Sequence, residues 1–227
     1  MQWTGAVARR TFDVAVSAAG LLLALPLLAL AAIAITLSSP GPVLFRQTRV
    51  GRGGRPFTLH KLRSMRTGSD GIPLTASGDE RLTPVGRFLR KLKLDELPQL
   101  WNVLRGEMSL VGPRPEVPYF VDSGDARWQE ILAVRPGLTD PVTLVLRDEE
   151  ELLARAPGDR ETFYRTNLQP LKLQGYVSYL RRRTFWGDVS ILLNTVLAVA
   201  APRRSNSSLS EFEVLLQKQR VDLTSPF

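Results

Sequence analysis

A long apolar run lies near the start of the chain. Residues 14–37 contain no charged side chain, whereas arginines stand close on both sides. A membrane-spanning helix needs about 20 apolar residues, so this run is long enough to cross a bilayer. Pro26 falls near its centre, where a proline removes a backbone hydrogen bond and bends a helix. The pattern therefore predicts a membrane helix with a bend at Pro26.

Three interpretations of this run are open. A cleaved signal peptide would use Arg9 and Arg10 as its basic region, but the run is long for one. A single transmembrane helix fits the length. A re-entrant hairpin fits the charges, because basic residues also follow the run and the positive-inside tendency places both flanks in the cytoplasm. Since spanning helices also tolerate proline, the hairpin leads the simple span only narrowly.

Shorter elements follow the apolar run. A break rich in proline and glycine at residues 38–42 precedes two short strands, 43–45 and 56–59, around a glycine cluster that begins at Gly51. Thr83 and Pro84 give the N-cap and the first residue of a short helix. The buried stripe of that helix is predicted to consist of Val85, Phe88, Leu89 and Leu92.

A second helix is predicted shortly afterwards. Apolar residues recur at helical spacing from Leu97 to Leu104, and Gly106 ends the run. Asp95 stands where an N-cap is expected. A carboxylate there is stabilised by unpaired backbone N–H groups and by the helix dipole, and the same position favours a bound phosphate.

The C-terminal part contains two further predicted helices and a tail. Residues 148–156 form an acidic helical stretch that ends at Pro157. Residues 191–201 are apolar, too short to span a bilayer, and flanked by arginine and aromatic side chains. This segment fits an interfacial helix and a buried core helix equally well. After Ser205, a serine-rich linker leads to a short amphipathic helix that starts at Ser210.

Composition narrows the chemistry. The 227 residues include no cysteine and a single histidine, His60. Disulfides, thiolate chemistry and cysteine zinc sites are therefore excluded, and a single histidine argues against a Ser-His triad or a histidine metal site.

The net charge of +8 lies entirely in residues 1–66, which hold nine Lys/Arg and one acid. Such a basic block suits an anionic polymer or an anionic membrane, and its apolar neighbour favours the membrane.

The adjacent carboxylates Asp95 and Glu96 are the strongest candidates for chemistry. A pair of acids at a helix start is ordinarily a solvated cap. Here Arg90 precedes the pair and Arg114 follows it between two prolines. Arginines in these places could hold a phosphorylated substrate against the two carboxylates.

Several segments, taken in order, resemble the bacterial sugar transferases known as monotopic phosphoglycosyl transferases. The resemblance covers residues 5–200 and corresponds to the minimal form of the family. Besides the proline-broken apolar run, the matching segments are PGPVLFRQTRVG (40–51), HKLRSM (60–65), GRFLRKLKLDELPQLWNVLRGEMSLVGPRPE (86–116), RPGLTD (135–140) and YVSYLRRRTFWGDVSILLNTV (176–196).

The resemblance implies a function. The family moves a phospho-sugar from a UDP-sugar to polyprenol (undecaprenyl) phosphate, releases UMP, and so initiates polysaccharide or glycoconjugate assembly. It implies that Asp95 is the nucleophile that carries a covalent phospho-sugar and that Glu96 binds Mg²⁺. The residues expected at the substrate phosphates are Arg90, Arg114, Lys61, Arg63 and Arg135.

The resemblance also implies an architecture and a location. We expect an α+β, mostly helical fold with a re-entrant membrane helix segment (1–40), a cytoplasmic catalytic domain with a small β-hairpin and interfacial helices (41–204), and a tail (205–227). The location implied is the cytoplasmic face of the bacterial inner membrane, with both flanks of the apolar run in the cytoplasm. The bilayer is an expected partner, a homodimer is a candidate assembly, and no nucleic acid is expected.

Two departures from the family pattern limit these expectations. The chain has Leu25 before Pro26 where many members have serine. It continues RPGLTDPVTL where many members have R-P-G-I-T-G, so the sequence does not predict which sugar is transferred.

A multi-span transferase of the direct-attack type is disfavoured, because only one long apolar segment is present. The main alternative is a membrane-anchored basic module that binds anionic lipid or nucleic acid without catalysis, which leaves the carboxylate pair unused.

Overall fold

The computed structural model describes residues 2–68, 74–146 and 149–200, with side chains from residue 6 onward. The predicted tail at 205–227 lies outside the described residues. The described part is mostly helical, with two small sheets. Its helices are α1 (Gln2–Ser38), α2 (Pro84–Lys91), α3 (Gln99–Arg105), α4 (Ala126–Leu132), α5 (Pro141–Val145), α6 (Glu149–Ala154), α7 (Arg160–Phe163), α8 (Gln169–Arg182) and α9 (Phe185–Ala200). Its strands are β1 (Leu44–Val50), β2 (Pro56–Leu62), β3 (Ser109–Val111) and β4 (Gly137–Thr139).

Helix α1 contains the whole apolar run. It continues through Pro26, so the two predicted legs are parts of one helix rather than two helices joined by a turn. Among the described residues, its section Ala6–Ser38 is the one helix long and apolar enough to cross a membrane. Only a small share of that section is buried, and Leu23 is 81% exposed. The helix is therefore not the core helix of a water-soluble fold.

The N-terminal half of α1 is fixed to the rest of the protein by polar contacts. Arg10 donates from its guanidinium to the carbonyl oxygens of Val103 (2.6 Å) and Leu104 (2.9 Å), at the end of α3. Asp13 is buried and accepts from the Ser109 hydroxyl (2.8 Å) and the Leu110 N–H (3.0 Å), at β3.

The C-terminal half of α1 packs on the same body. Ala31 and Ile35 are buried in an apolar cluster with Leu62 of β2 and Leu89 of α2. Both ends of the helix therefore lie against one folded unit, and the exposed apolar side chains lie between and around these contacts.

Strands β1 and β2 form an antiparallel hairpin that is longer than the sequence pattern predicted. Its turn contains Gly53 and Gly54 with φ of 69° and 74°, a conformation that glycine adopts without strain. In the register, Phe45 faces Lys61 and Arg49 faces Phe57. Because side chains alternate between faces, Lys61 and Arg49 lie on the same face of the hairpin.

Helix α2 begins as predicted. The Thr83 hydroxyl accepts from the Gly86 N–H at 2.9 Å, and Pro84 occupies the first turn. The predicted buried stripe is wrong at Phe88, which is 60% exposed, whereas Leu89 is buried. Leu89 packs in the cluster with Ala31 and Ile35 of α1, whereas Phe88, the preceding residue and so about 100° away around the helix, lies outside that cluster.

Helix α9 decides between the two interpretations of its sequence. Leu193, Val196 and Leu197 are each at least 60% exposed, and Asp188 is its one buried residue. A buried core helix is therefore wrong, and the apolar outer face agrees with an interfacial helix.

Candidate active site

The carboxylate pair lies on a tight turn between α2 and α3. Lys93 has φ of 56°, in the left-handed region, and the following residues Leu94–Glu96 form a short 3₁₀ helix. Helix α3 then starts at Gln99, with Pro98 at its N-cap position and no side-chain cap. The prediction that Asp95 caps α3 is therefore wrong, because this extra turn separates it from the helix start. The turn instead directs the pair into the protein.

Asp95 is buried but not satisfied. It is 3% exposed, and its Oδ1 has no hydrogen-bond partner among the described residues. Burial raises the pKa of the Asp95 carboxyl, and the neighbouring Glu96 charge raises it further. A buried oxygen without a partner is costly, so this oxygen is a candidate to contact a bound ligand or ion.

Glu96 has the opposite environment. Its carboxylate accepts from both terminal nitrogens of Arg114 and from Lys61 Nζ at 3.3 Å. Burial alone would raise the pKa of Glu96, but Arg114 and Lys61 outweigh it and hold that pKa well below its usual range. Burial also lowers the pKa of Lys61, to about 8, even though Glu96 opposes the shift.

A third carboxylate, Glu116, extends the charged cluster. Arg49 donates to the Pro115 carbonyl at 3.0 Å and forms an ion pair with Glu116 at 3.4 Å. Tyr164 donates its hydroxyl to the same carboxylate. Sequence reasoning missed Glu116 and Tyr164 as site residues. The alternation of β1, which places Arg49 on the face of Lys61, was the available signal for Arg49.

The pair opens onto a cavity of about 520 Å³. Its far wall is formed by α6 and α8, where Lys172 Nζ contacts both Glu149 oxygens at 3.1 Å and the Tyr164 hydroxyl at 3.3 Å. Lys172 is buried, and its contacts with Glu149 raise its pKa in spite of that burial. Sequence reasoning also missed Lys172, because nothing in its local pattern links it to residues far away along the chain. Cations from four elements line the cavity: Arg49 of β1, Lys61 of β2, Arg90 of α2 and Lys172 of α8.

Arg90 lines this cavity, but its guanidinium is engaged elsewhere. It forms an ion pair with Glu150 at 2.7 Å and donates to the hydroxyls of Ser64 (3.0 Å) and Thr75 (3.3 Å). A phosphate ligand would therefore have to compete with Glu150 for Arg90.

Two other predicted phosphate ligands are not brought to the pair. Arg63 donates to the Ser39 carbonyl at 2.7 Å and to the Pro40 carbonyl, so it holds the chain where it leaves α1. Arg135 donates to the Gly106 carbonyl at 2.8 Å and does not line the cavity. The structure thus groups Lys61, Arg90 and Arg114 around the pair and leaves Arg63 and Arg135 outside it.

Within the described residues, no group of three or more His, Asp or Glu side chains could hold a metal ion on protein ligands alone. This does not conflict with a Mg²⁺ site, since Mg²⁺ commonly takes one or two carboxylates and completes its shell with substrate oxygens and water. The unpartnered Asp95 oxygen and the Glu96 carboxylate beside it fit that donor set.

Comparison with known proteins identifies the family. Residues 4–202 match the family model described as Bacterial sugar transferase. The chain belongs to this family.

Three curated relatives are similar to the chain. It is 44% identical over 193 residues to a UDP-glucose:undecaprenyl-phosphate glucose-1-phosphate transferase of Caulobacter vibrioides, covering 83% of this chain and 68% of the relative. It is 37% identical to a UDP-N-acetylgalactosamine-undecaprenyl-phosphate N-acetylgalactosaminephosphotransferase of Aeromonas hydrophila, covering 84% of this chain and 43% of the relative. It is 34% identical to an Escherichia coli relative described like the first, covering 83% of this chain and 39% of that relative. The chain therefore spans less than half the length of the last two.

Proposed function

We propose that this protein transfers a phospho-sugar from a UDP-sugar to polyprenol (undecaprenyl) phosphate and releases UMP, as a first step in polysaccharide or glycoconjugate assembly. Family membership and the named relatives support this reaction class. The observation that carries it is Asp95, a buried carboxylate with an unpartnered oxygen in a cation-lined cavity. A module that only binds anionic lipid has no use for such a group.

The reaction takes two balanced displacements at one phosphorus atom. In the first, an Asp95 carboxylate oxygen attacks the phosphorus next to the sugar, the bond to the bridging oxygen of the diphosphate breaks, and UMP leaves with the electron pair. In the second, a phosphate oxygen of the polyprenol phosphate attacks the same phosphorus and the Asp95 carboxylate leaves. A covalent intermediate means that the soluble and the lipid substrate need not be bound together.

The cations around the pair suit this chemistry. A carboxylate that approaches a diphosphate is repelled, so positive charge must neutralise the phosphoryl oxygens. Lys61 and Arg114 hold Glu96 in place, and Arg49 and Arg90 line the same cavity. Arg90 can move from Glu150, whose side chain is half exposed, to a substrate phosphate.

We propose that Mg²⁺ is held by Glu96 together with Asp95. When bound, the ion would neutralise charge on the diphosphate oxygens. Arg114 and Lys61 lower the pKa of Glu96, so its carboxylate keeps at neutral pH the negative charge that a Mg²⁺ ligand needs.

The proposed location is the cytoplasmic face of the inner membrane, with α1 as a re-entrant anchor. Support comes from its two ends, which contact the same folded unit through Asp13 near the start and Ile35 near the end. A straight spanning helix would carry one end to the opposite face, about 1.5 Å further for each residue.

The proposal is tested by a donor screen. Purified protein is mixed with polyprenol phosphate, Mg²⁺ and either UDP-glucose or UDP-N-acetylgalactosamine, and released UMP is measured. We expect UMP release with at least one UDP-sugar and a fall of several orders of magnitude for Asp95→Asn. Asp122→Asn, at an exposed aspartate outside the cavity, is the matched control and should keep the full rate. Normal turnover by Asp95→Asn would overturn the proposal.

A further inference from the structure

A second and larger hollow adjoins the cavity of the carboxylate pair. This groove has a volume of about 880 Å³ and is lined by strand β1, the end of β2 and the segment after it. Four residues, Arg49, Lys61, Thr75 and Arg90, line both the groove and the cavity. The two spaces therefore meet at the cations beside Asp95.

The other end of the groove lies close to the C-terminal end of α1. Pro42 and Val43 line it, a few residues after the end of α1. Arg63 also lines it and binds the carbonyl oxygens of Ser39 and Pro40. Apolar side chains stand there as well: Leu44 is 37% exposed and Phe45 is 45% exposed. The groove thus leads from the exposed apolar surface of α1 to the reacting carboxylate.

The charges of the two spaces differ. Six arginines and one lysine line the groove, and no Asp or Glu does so among the described residues. The cavity of the pair is lined by Asp95, Glu96 and three further glutamates as well as by cations. A wall with cations, apolar side chains and no carboxylate complements an anionic head joined to an apolar tail.

We propose that this groove is the binding site for the polyprenol phosphate, with the phosphate at Lys61 and Arg90 and the first isoprene units along Phe45. The proposal rests on the proposed function, because it assigns one of its two substrates to a place. The UDP-sugar is left to the cavity lined by α6 and α8, which opens beside the same cations. Each substrate then reaches Asp95 by its own route, and the lipid need not leave the membrane surface.

Phe45 and Gln47 allow a sharp test. In the register of the hairpin, Phe45 lies opposite Lys61, so the two side chains share a face. Gln47 lies on that face too, lines the groove, and accepts from Arg49 at 2.6 Å. Phe45→Ser removes the apolar wall, and Gln47→Glu adds one negative charge without a change in size. Phe88→Ser is the matched control, since Phe88 is also an exposed phenylalanine, on a helix that contacts α1, and lines neither the groove nor the cavity.

The experiment measures UMP release by the full chain in neutral detergent, where the acceptor is the only lipid phosphate. We expect Phe45→Ser and Gln47→Glu to raise the KM for polyprenol phosphate on the order of tenfold, with the KM for the UDP-sugar unchanged. An unchanged acceptor KM, an equal rise in the donor KM, or an equal effect of Phe88→Ser would overturn the proposal. An effect of Gln47→Glu that appears only in vesicles with anionic phospholipid would assign the groove to lipid headgroups instead.

A second readout needs no turnover. Binding of farnesyl phosphate is measured without any donor, and Phe45→Ser should weaken it by a similar factor. If the wild-type protein released no UMP with any UDP-sugar but Phe45→Ser still lost farnesyl phosphate, the function would be wrong and the groove right. Equal binding by both proteins would overturn the groove.

Discussion

Asp95 and Glu96 carry the same functional group, but their surroundings drive their pKa values apart. Asp95 is buried with an unpartnered oxygen, and burial raises its pKa. Glu96 is buried against Arg114 and Lys61, which lower its pKa in spite of that burial. Two carboxyls with separated pKa values can take different roles, and the less stabilised one, Asp95, is the proposed nucleophile.

These shifts predict a bell-shaped pH dependence of kcat/KM for the UDP-sugar. Asp95 must be ionised to attack, so the acid limb should lie above the ordinary carboxyl range of about 4. Lys61 must be protonated to hold Glu96, and its pKa is about 8, so kcat/KM should fall as the pH rises through 8. Initial rates of UMP release between pH 4 and pH 10 measure both limbs.

Lys61→Arg separates the two limbs. Arginine stays protonated throughout this range, so the alkaline limb should move beyond about pH 9.5 while the acid limb stays in place. An alkaline limb that remained near pH 8 in this variant would show that another group controls it.

At the residue scale, the sequence predicted the groups that lie close to one another along the chain. Asp95, Glu96, Arg90 and Arg114 lie in one continuous segment, and the structure brings them together. Lys172 was missed, because only the packing of α8 brings it to the cavity.

At the element scale, Asn102 joins the hairpin to α3, the helix that follows the carboxylate pair. Its side chain is fully buried and accepts from the His60 N–H at 3.1 Å. Its Nδ2 donates to the Thr58 carbonyl and to Glu107 Oε2, each at 2.7 Å. Because His60 precedes Lys61 on β2, these hydrogen bonds help to hold Lys61 next to Glu96.

Asn102→Ala should therefore destabilise the protein. It leaves the His60 N–H and the Thr58 carbonyl of β2, and the Glu107 carboxylate after α3, without this partner, which costs about 3 kcal/mol. For a chain of this size, that corresponds to a fall in Tm of roughly 10 °C, measured by thermal unfolding in detergent. Asn194→Ala, at an exposed position of α9, is the control and should change Tm little. A Tm for Asn102→Ala equal to that of the control would remove Asn102 from this structural role.

Elements with local signals were predicted better than those without. Thr83 and Pro84 fixed the start of α2, and Gly106, with φ of 81°, ended α3 as predicted. The 3₁₀ turn at 94–96 was not predicted, since the left-handed Lys93 that sets it up has no glycine or asparagine to signal it. Strands β3 and β4 were missed as well, because each has only three residues.

At the scale of the whole molecule, the path of α1 decides how the site meets the membrane. Arg10 and Asp13 hold its N-terminal half to α3 and β3, and Ile35 packs its C-terminal half on β2 and α2. The sequence supplied the basic flanks that favour one side for both ends. It could not supply these contacts, since the partners of Arg10 and Asp13 lie more than 90 residues away.

Single cysteines test this topology cleanly, because the native chain has none. Val7→Cys probes the start of α1 and Arg55→Cys probes the hairpin turn, and both positions are exposed. In intact cells, neither should react with an impermeant thiol reagent, and both should react once the inner membrane is opened. Labelling of the residue 7 probe in intact cells would make α1 an ordinary spanning helix.

The proposed role of Asp95 is to carry the phospho-sugar as a covalent intermediate. The most direct measurement uses a UDP-sugar with phosphorus-32 in the phosphate next to the sugar, mixed with protein and Mg²⁺ but no polyprenol phosphate, then quenched and denatured. If Asp95 is the nucleophile, UMP release is stoichiometric, the label stays on the peptide that contains Asp95, and Asp95→Asn carries no label. UMP release that requires polyprenol phosphate and leaves the denatured wild-type protein unlabelled would contradict it.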